Sequence, residues 1–180
     1  MSLILGINAY HADSSSCVIK NNQLKFAIEE EKINRVKHWA GFPINSIKLG
    51  LSLSDVDPKE ITDVALNFNP FSNLFQKSTY FLSNYTFGKK RGEIYNRTKL
   101  RLDIKKQLSF LENNKFKLHY VDHHVSHIAS AFYPSGFDRA VGLSIDGFGD
   151  FSSLAIAICD NNRIKINKKI YFPHSLGLFY

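Results

Sequence analysis

Residues 121–150 read VDHHVSHIASAFYPSGFDRAVGLSIDGFGD, and a change of period inside this stretch decides the fold class. From Val125 to Tyr133 small and apolar residues recur at helical spacing, and Pro134 and Gly136 end the run. From Arg139 the pattern becomes an apolar strand that reaches Asp146 and a glycine-broken turn. Just upstream, KLHYV is a strand leading straight into the histidines. Downstream, the chain to Phe172 holds three strands with turns at DGFGD and DNNR. A helix set among strands in meander order predicts an α/β protein with a mixed sheet and flanking helices.

Working outward, Ser2 to Ala9 reads as a buried strand, and SSCVIKNNQLKFAIEEEKI as a hairpin around Asn21 and Asn22. Pro43 to Leu53 has helical spacing through Ile44, Ile47 and Leu51, and DVALNF is a further strand. Residues 68–92 are aromatic and polar without a clear period, an irregular excursion with some helix. Residues 93–112 form the longest helix candidate. No internal repeat, low-complexity tract or clean linker interrupts the chain.

Composition bounds the rest. The chain has 180 residues, 44% hydrophobic and 22% charged, enough apolar content for a real core and against wholesale disorder. Cys17 and Cys159 lie in apolar runs and read as small core residues of a reducing compartment, with no disulfide expected. The opening MSLILGINAY lacks the basic flank and cleavage site of a signal peptide. No apolar run approaches the roughly 20 residues that span a bilayer. The expectation is a cytoplasmic protein without a membrane partner. The net charge of +7 concentrates in GKKRGEIYNRTKLRLDIKKQ, where acids and apolar residues interleave with the bases. A solvated helix face explains that stretch, so nucleic acid is not expected as a partner.

Four stretches carry chemistry. On a helix, His123 and His127 share one face and can present two nitrogens to one cation, with Asp146 as a carboxylate free to swing in from its turn. A site without cysteine would be N/O-liganded and open, hence catalytic. The same residues also read as two surface histidines and an ordinary Asp-Gly hairpin. GINAYHADSS places Asn8, His11, Asp13 and free backbone N–H groups at a strand end, where an oxyanion could bind and a histidine act as base. An Asx- or Ser-rich turn is its plainer reading. EEEKINRVKHWAGFP is a cationic wall for an anionic or hydroxyl-rich substrate, or a charged helix end and loop. In PHSLGLFY, Ser175 and Gly177 would let backbone approach a ligand, or make a bend.

Taken in order, GINAYHADSS, EEEKINRVKHWAGFP, VDHHVSHIASAFY, SIDGFGD and SLGLFY resemble the carbamoyltransferases of the nodulation protein U and tobramycin carbamoyltransferase type, across nearly the whole chain. The resemblance implies an actin-like and sugar-kinase-type (ribonuclease H-like) fold. It also implies transfer of a carbamoyl group from carbamoyl-adenylate, made from carbamoyl phosphate and ATP, to a hydroxyl of a small-molecule acceptor in biosynthesis. By position, His123, His127 and Asp146 would hold a divalent metal, iron first and zinc or manganese as alternatives. His11 would be the catalytic base, and Lys37 would line the acceptor pocket. Asp146, Leu176 and Gly177 would meet the carbamoyl-adenylate. The final Asp150 of the turn stands where many relatives have glutamate.

The resemblance covers only the N-terminal part of the family's domain in residues 1–180. The fourth metal ligand and the carbamoyl-adenylate-forming domain would lie beyond Tyr180, and HSLGLFY ends without a polar tail or cap. The chain alone is therefore expected to be inactive. Transfer of threonylcarbamoyl to tRNA, and a non-catalytic fragment completed in trans by a separate chain, are the alternatives.

Overall fold

The computed structural model describes residues 2–83, 103–112 and 115–179. The chain divides into two compact units, Met1–Asn67 with Lys89–Tyr120, and Phe68–Gly88 with Val121–Tyr180.

The first unit is a five-stranded mixed sheet in the order β3-β2-β1-β4-β5. Its strands are β1 (Leu3–Asn8), β2 (Ser15–Lys20), β3 (Gln23–Glu29), β4 (Asp63–Leu66) and β5 (Lys117–Tyr120). β1, β2 and β3 run antiparallel, whereas β4 and β5 join parallel to β1 and to each other. The β2–β3 turn is the expected one. Asn21 and Asn22 both take left-handed φ, 51° and 62°, the requirement of a tight hairpin that follows strand twist. The strand period is visible in burial: Leu3, Leu5 and Ile7 are buried while Ile4, Gly6 and Asn8 are less so. Opposite Leu5 stand Val18 on β2 and Val64 on β4, both fully buried with Ile47 of helix α2 (Ile44–Leu53). Each such side chain contributes roughly 1.5–3 kcal/mol.

Glu30 overturns the reading of EEEKIN as merely a charged helix end. Its side chain is buried at 1% exposure and accepts hydrogen bonds from the Asn45 and Ser46 amides and from Asn45 Nδ2, at 3.2, 2.7 and 2.7 Å. A carboxylate from beside the short helix α1 (Glu31–Asn34) thus caps the N-terminus of α2, where free N–H groups and the helix dipole favour negative charge. Of the helix expected over 93–112, the part before residue 103 lies outside the described residues. The described part is one turn of α4 (Ile104–Gln107) tightening into a 3₁₀ turn (Leu108–Leu111), with Ile104, Leu108 and Leu111 buried.

The second unit holds α3 (Leu74–Ser83), α5 (His123–Phe132) and an antiparallel sheet β6 (Arg139–Gly149), β7 (Ser152–Asp160) and β8 (Arg163–Tyr171), in that order. The three strands and the DNNR turn are those read from the sequence, whereas most of DGFGD belongs to β6 and the turn there is Asp150–Phe151. Ile128 and Phe132 of α5 pack with Ala155, Ala157 and Cys159 of β7. α5 gives way to a 3₁₀ turn (Tyr133–Ser135) and then to Gly136 at φ 76°, so the Pro-Ser-Gly stop acts as expected. Helix α3 falls inside the excursion read as irregular, whose residues after 83 lie outside the described ones. Cys17 and Cys159 are both free. Among the described residues no helix is long and apolar enough to cross a membrane.

Candidate metal and active site

Helix α5 begins where a carboxylate satisfies its first amides. Asp122 is the N-cap, its Oδ1 accepting from the His124 and Val125 amides at 3.1 and 3.4 Å. Its Oδ2 takes a hydrogen bond from Lys169 Nζ at 2.6 Å, and both side chains are largely buried. Burial works against the Asp122 carboxylate, but the Lys169 hydrogen bond and charge, with Ser72 and the Val125 amide, outweigh it and hold its pKa below the ordinary range. A second carboxylate, Asp150, accepts from the His123 amide at 2.9 Å and from the Asn69 amide at 2.7 Å. Burial pushes the Asp150 pKa up; the two amides oppose that, and the charge of Asp122 adds to it. These two aspartates fix where the first turn of α5 stands.

That turn carries the histidines. His123 is buried and His127, one turn on, keeps about half its side chain exposed. His123 Nε2 lies 2.6 Å from Asp146 Oδ2 and 3.1 Å from His127 Nε2, and His127 Nε2 lies 3.6 Å from the same Asp146 oxygen. Three donor atoms therefore converge. Ligands about 2.0–2.2 Å from a shared cation stand roughly 3–3.5 Å apart at bond angles of about 90–110°. The two histidine nitrogens stand at that spacing and His127 lies just beyond it from Asp146, while His123 and Asp146 are closer, at hydrogen-bond distance. Two imidazoles and a carboxylate are a donor set suited to iron, zinc or manganese.

Asp146 differs from its expected setting. It does not swing from a turn but stands within β6, where the pairing with β7 shifts register between Ile145 and Gly149. Such an irregularity re-aims a side chain without ending the strand. Oδ1 also accepts from the Gly147 amide at 2.6 Å. Burial would raise the Asp146 pKa, yet the hydrogen bonds from His123 and Gly147 and the charges of both histidines bring it below the usual carboxylate value. His124 points the other way: it is fully buried, with Nδ1 2.7 Å from Ser144 Oγ. Burial lowers its pKa, against a hydrogen bond with the Ser152 backbone that raises it.

The C-terminal segment reaches the same place. Ser175 Oγ donates to the carbonyls of Asp146 and Gly147 at 3.1 and 2.8 Å. A Cβ on Gly177 would come 2.3 Å from the Asp146 carbonyl oxygen. The close backbone approach foreseen at Ser175 and Gly177 is thus an approach to the Asp146–Gly147 peptide, with Leu176 half-exposed beside it.

His11 and Lys37 belong to the first unit. Within GINAYHADSS, Asn8 Nδ2 donates to the carbonyls of Ala12 and Asp13 at 3.3 and 3.0 Å. Of the backbone N–H groups in this stretch, those of Tyr10 and Ser14 donate to the Gly41 and Trp39 carbonyls at 3.3 and 2.9 Å. The sequence could not show that the 39–41 segment returns to use them. His11 is partly buried and Lys37 is exposed. Beside them His38 Nδ1 lies 2.9 Å from Asp13 Oδ1, and the His38 amide donates to Glu31 Oε2.

Asp122, Asp150 and Lys169 are not among the residues that the sequence marks as candidates. Asp122 carried a readable signal, an aspartate directly before a helical run. Asp150 is legible only as a departure from the glutamate of many relatives, and Lys169 sits in a lysine pair that reads as surface.

A family model described as Carbamoyltransferase N-terminus matches residues 3–180. Nodulation protein NolNO of Sinorhizobium fredii is 30% identical over 181 residues, covering 96% of this chain and 25% of its own length. An uncharacterized protein of Synechocystis is 32% identical, covering 100% of this chain and 31% of its own length. The chain thus spans about a quarter to a third of these relatives. Among solved structures, YeaZ from Pseudomonas aeruginosa matches with a TM-score of 0.55 at 10% identity, covering 96% of this chain and 68% of that one. That likeness concerns the fold, which is actin-like.

Proposed function

Since this chain belongs to the carbamoyltransferase N-terminus family, we propose that it is the N-terminal portion of an O-carbamoyltransferase acting in the cytoplasm on a small-molecule hydroxyl. The observation that carries the reading is the convergence of His123 Nε2, His127 Nε2 and Asp146 Oδ2 within 3.6 Å. In this reading those three residues hold a divalent metal, iron before zinc or manganese, which when bound supplies Lewis acidity toward a carbonyl oxygen.

The chain's own groups do the rest. His11 takes the proton of the acceptor hydroxyl as that oxygen bonds to the carbamoyl carbon. The bond from that carbon to the adenylate phosphate oxygen breaks, and AMP departs with the electron pair. Lys37 orients the acceptor. Asp146, Leu176 and Gly177 border the carbamoyl-adenylate in this reading. The carbamoyl-adenylate itself, formed from carbamoyl phosphate and ATP, comes from the part of the family's proteins that this chain does not span. The chain by itself is therefore proposed to lack turnover, and a carbamoylation assay in which it turned over alone would overturn that point.

Metal analysis tests the site. The purified chain, dialysed against iron(II), zinc or manganese in turn, retains about one equivalent, and the His123→Ala, His127→Ala double variant retains none. His127→Ala alone, at a half-exposed position, preserves the fold and still loses most of the metal. Equal metal content in all three proteins removes the site.

A further inference from the structure

Three segments of the first unit bring a second set of donor atoms together. Asp13 lies in the loop between β1 and β2, Glu31 opens α1, and His38 lies in the loop from α1 to α2. His38 Nδ1 stands 2.9 Å from Asp13 Oδ1. One ligand atom from each of the three residues falls within 4.8 Å of the others. The proposed carbamoyl transfer uses none of the three.

Hydrogen bonds between segments far apart in sequence hold these residues side by side. The Ser14 amide donates to the Trp39 carbonyl at 2.9 Å, and the Glu30 amide to the Ser14 carbonyl at 2.8 Å. The His38 amide donates to Glu31 Oε2 at 2.9 Å. Each of the three residues is therefore itself pinned or next to a pinned backbone position. Glu31 Oε1 is taken by Lys32 Nζ at 2.8 Å, which leaves Oε2 with a lone pair beyond the one that the His38 amide uses. The His38 and Asp13 side chains are 78% and 50% exposed, so water can complete a coordination shell.

One imidazole with two carboxylates is an N/O donor set without thiolate. It favours a divalent transition ion over magnesium or calcium, which prefer oxygen ligands alone. Ligands about 2.0–2.2 Å from one ion stand about 3 Å apart at right angles. The His38–Asp13 pair already has that separation, and rotation of the exposed side chains closes the gap to Glu31.

We propose that Asp13, Glu31 and His38 form a second divalent-metal site, which takes a transition ion of the zinc(II) or nickel(II) kind. The ion takes the place of the proton between His38 Nδ1 and Asp13 Oδ1. That proton passes to water while Nε2 takes one from water, so the ring stays neutral. Bound there, the ion ties the β1–β2 loop to the loop that carries Lys37 and Trp39. The site is open and has three protein ligands, so its metal exchanges freely. It shows at equilibrium with free ion, not as metal retained after dialysis into metal-free buffer. The inference does not depend on the His123 centre.

The test uses the 180-residue chain carrying His123→Ala and His127→Ala, so that the other centre is removed. Calorimetric titration with zinc(II) is expected to show one exchangeable equivalent. Paramagnetic nickel(II) is expected to quench the fluorescence of Trp39, the only tryptophan. Adding His38→Ala, Asp13→Asn or Glu31→Gln weakens zinc binding about tenfold or more and removes the quenching. His119→Ala, which deletes an exposed histidine paired with Asp63, changes neither readout. Circular dichroism verifies each fold. No exchangeable equivalent, an unquenched Trp39, binding that survives His38→Ala and Asp13→Asn, or loss on His119→Ala instead would each overturn the proposal. Metal retained by the native chain is a separate measurement, so failure of this site and failure of the His123 centre are told apart.

Discussion

A Cβ placed on Gly149 would lie 1.9 Å from Cδ2 of His123. The ring occupies the space a side chain at 149 would need, and both residues are buried. The glycine in SIDGFGD is therefore the seat of the imidazole, and the turn and the helix N-terminus are one unit of the site.

Gly149→Ala is expected to push the His123 ring off Asp146. Overpacking at a buried position costs about 1–3 kcal/mol. Metal retention should fall about tenfold or more while the far-ultraviolet circular dichroism of the chain is kept; a variant that holds metal like the native chain contradicts the seating role.

Lys169→Met leaves the Asp122 carboxylate buried without its ammonium partner. Breaking such a pair costs about 3–5 kcal/mol at full burial, and the residual exposure of 10% and 14% places this pair near the lower end. The loss should appear as a clear fall in Tm by thermal unfolding, and unchanged stability would show that the pair contributes nothing net.

Glu30→Ala removes the acceptor shared by the Asn45 and Ser46 amides. Hydrogen bonds to a charged group are each worth about 1.5–3 kcal/mol, so denaturant unfolding should show a destabilisation of about 2–4 kcal/mol. Glu31→Ala, one residue on, makes no such cap to α2 and should cost far less.

Burial raises the Cys17 thiol pKa, against the Gly6 backbone hydrogen bond that lowers it. The thiolate fraction at pH 8 is thus smaller than for a free cysteine. Iodoacetamide should label Cys17 slowly in the folded chain and rapidly in urea, with mass spectrometry locating the adduct. Fast labelling of the folded chain would mean that the first sheet opens readily.

The Asp63 carboxylate is held below its ordinary pKa, chiefly by the His119 hydrogen bond and then by Thr62. A depressed carboxylate stabilises the fold above its unfolded pKa, about 3.9, and loses that effect as pH falls through the folded value. The stability gap between the native chain and Asp63→Asn should therefore close on acidification below about pH 4. A gap that stays constant with pH would remove the ionic part of the pair. Both groups are partly exposed, so the effect is small.

The sequence by itself determined the elements. Period-two alternation in LILGIN, the Asn-Asn turn, the 3.6 spacing of α5 and the Pro-Ser-Gly stop are local properties that backbone sterics and side-chain size enforce without distant partners. It also determined that His123 and His127 share a helix face, because one turn is a fixed distance. Only the tertiary structure decided what those local pieces meet. That Asp146 stays in its strand, that Asp150 and Lys169 tie down the start of α5, that Glu30 caps a helix 15 residues away and that segment 39–41 takes the Tyr10 and Ser14 amides are all long-range pairings. Such partners are chosen by how the packed elements close on one another and by the need of each buried charge or amide to find a partner. No period or spacing along the chain encodes that choice.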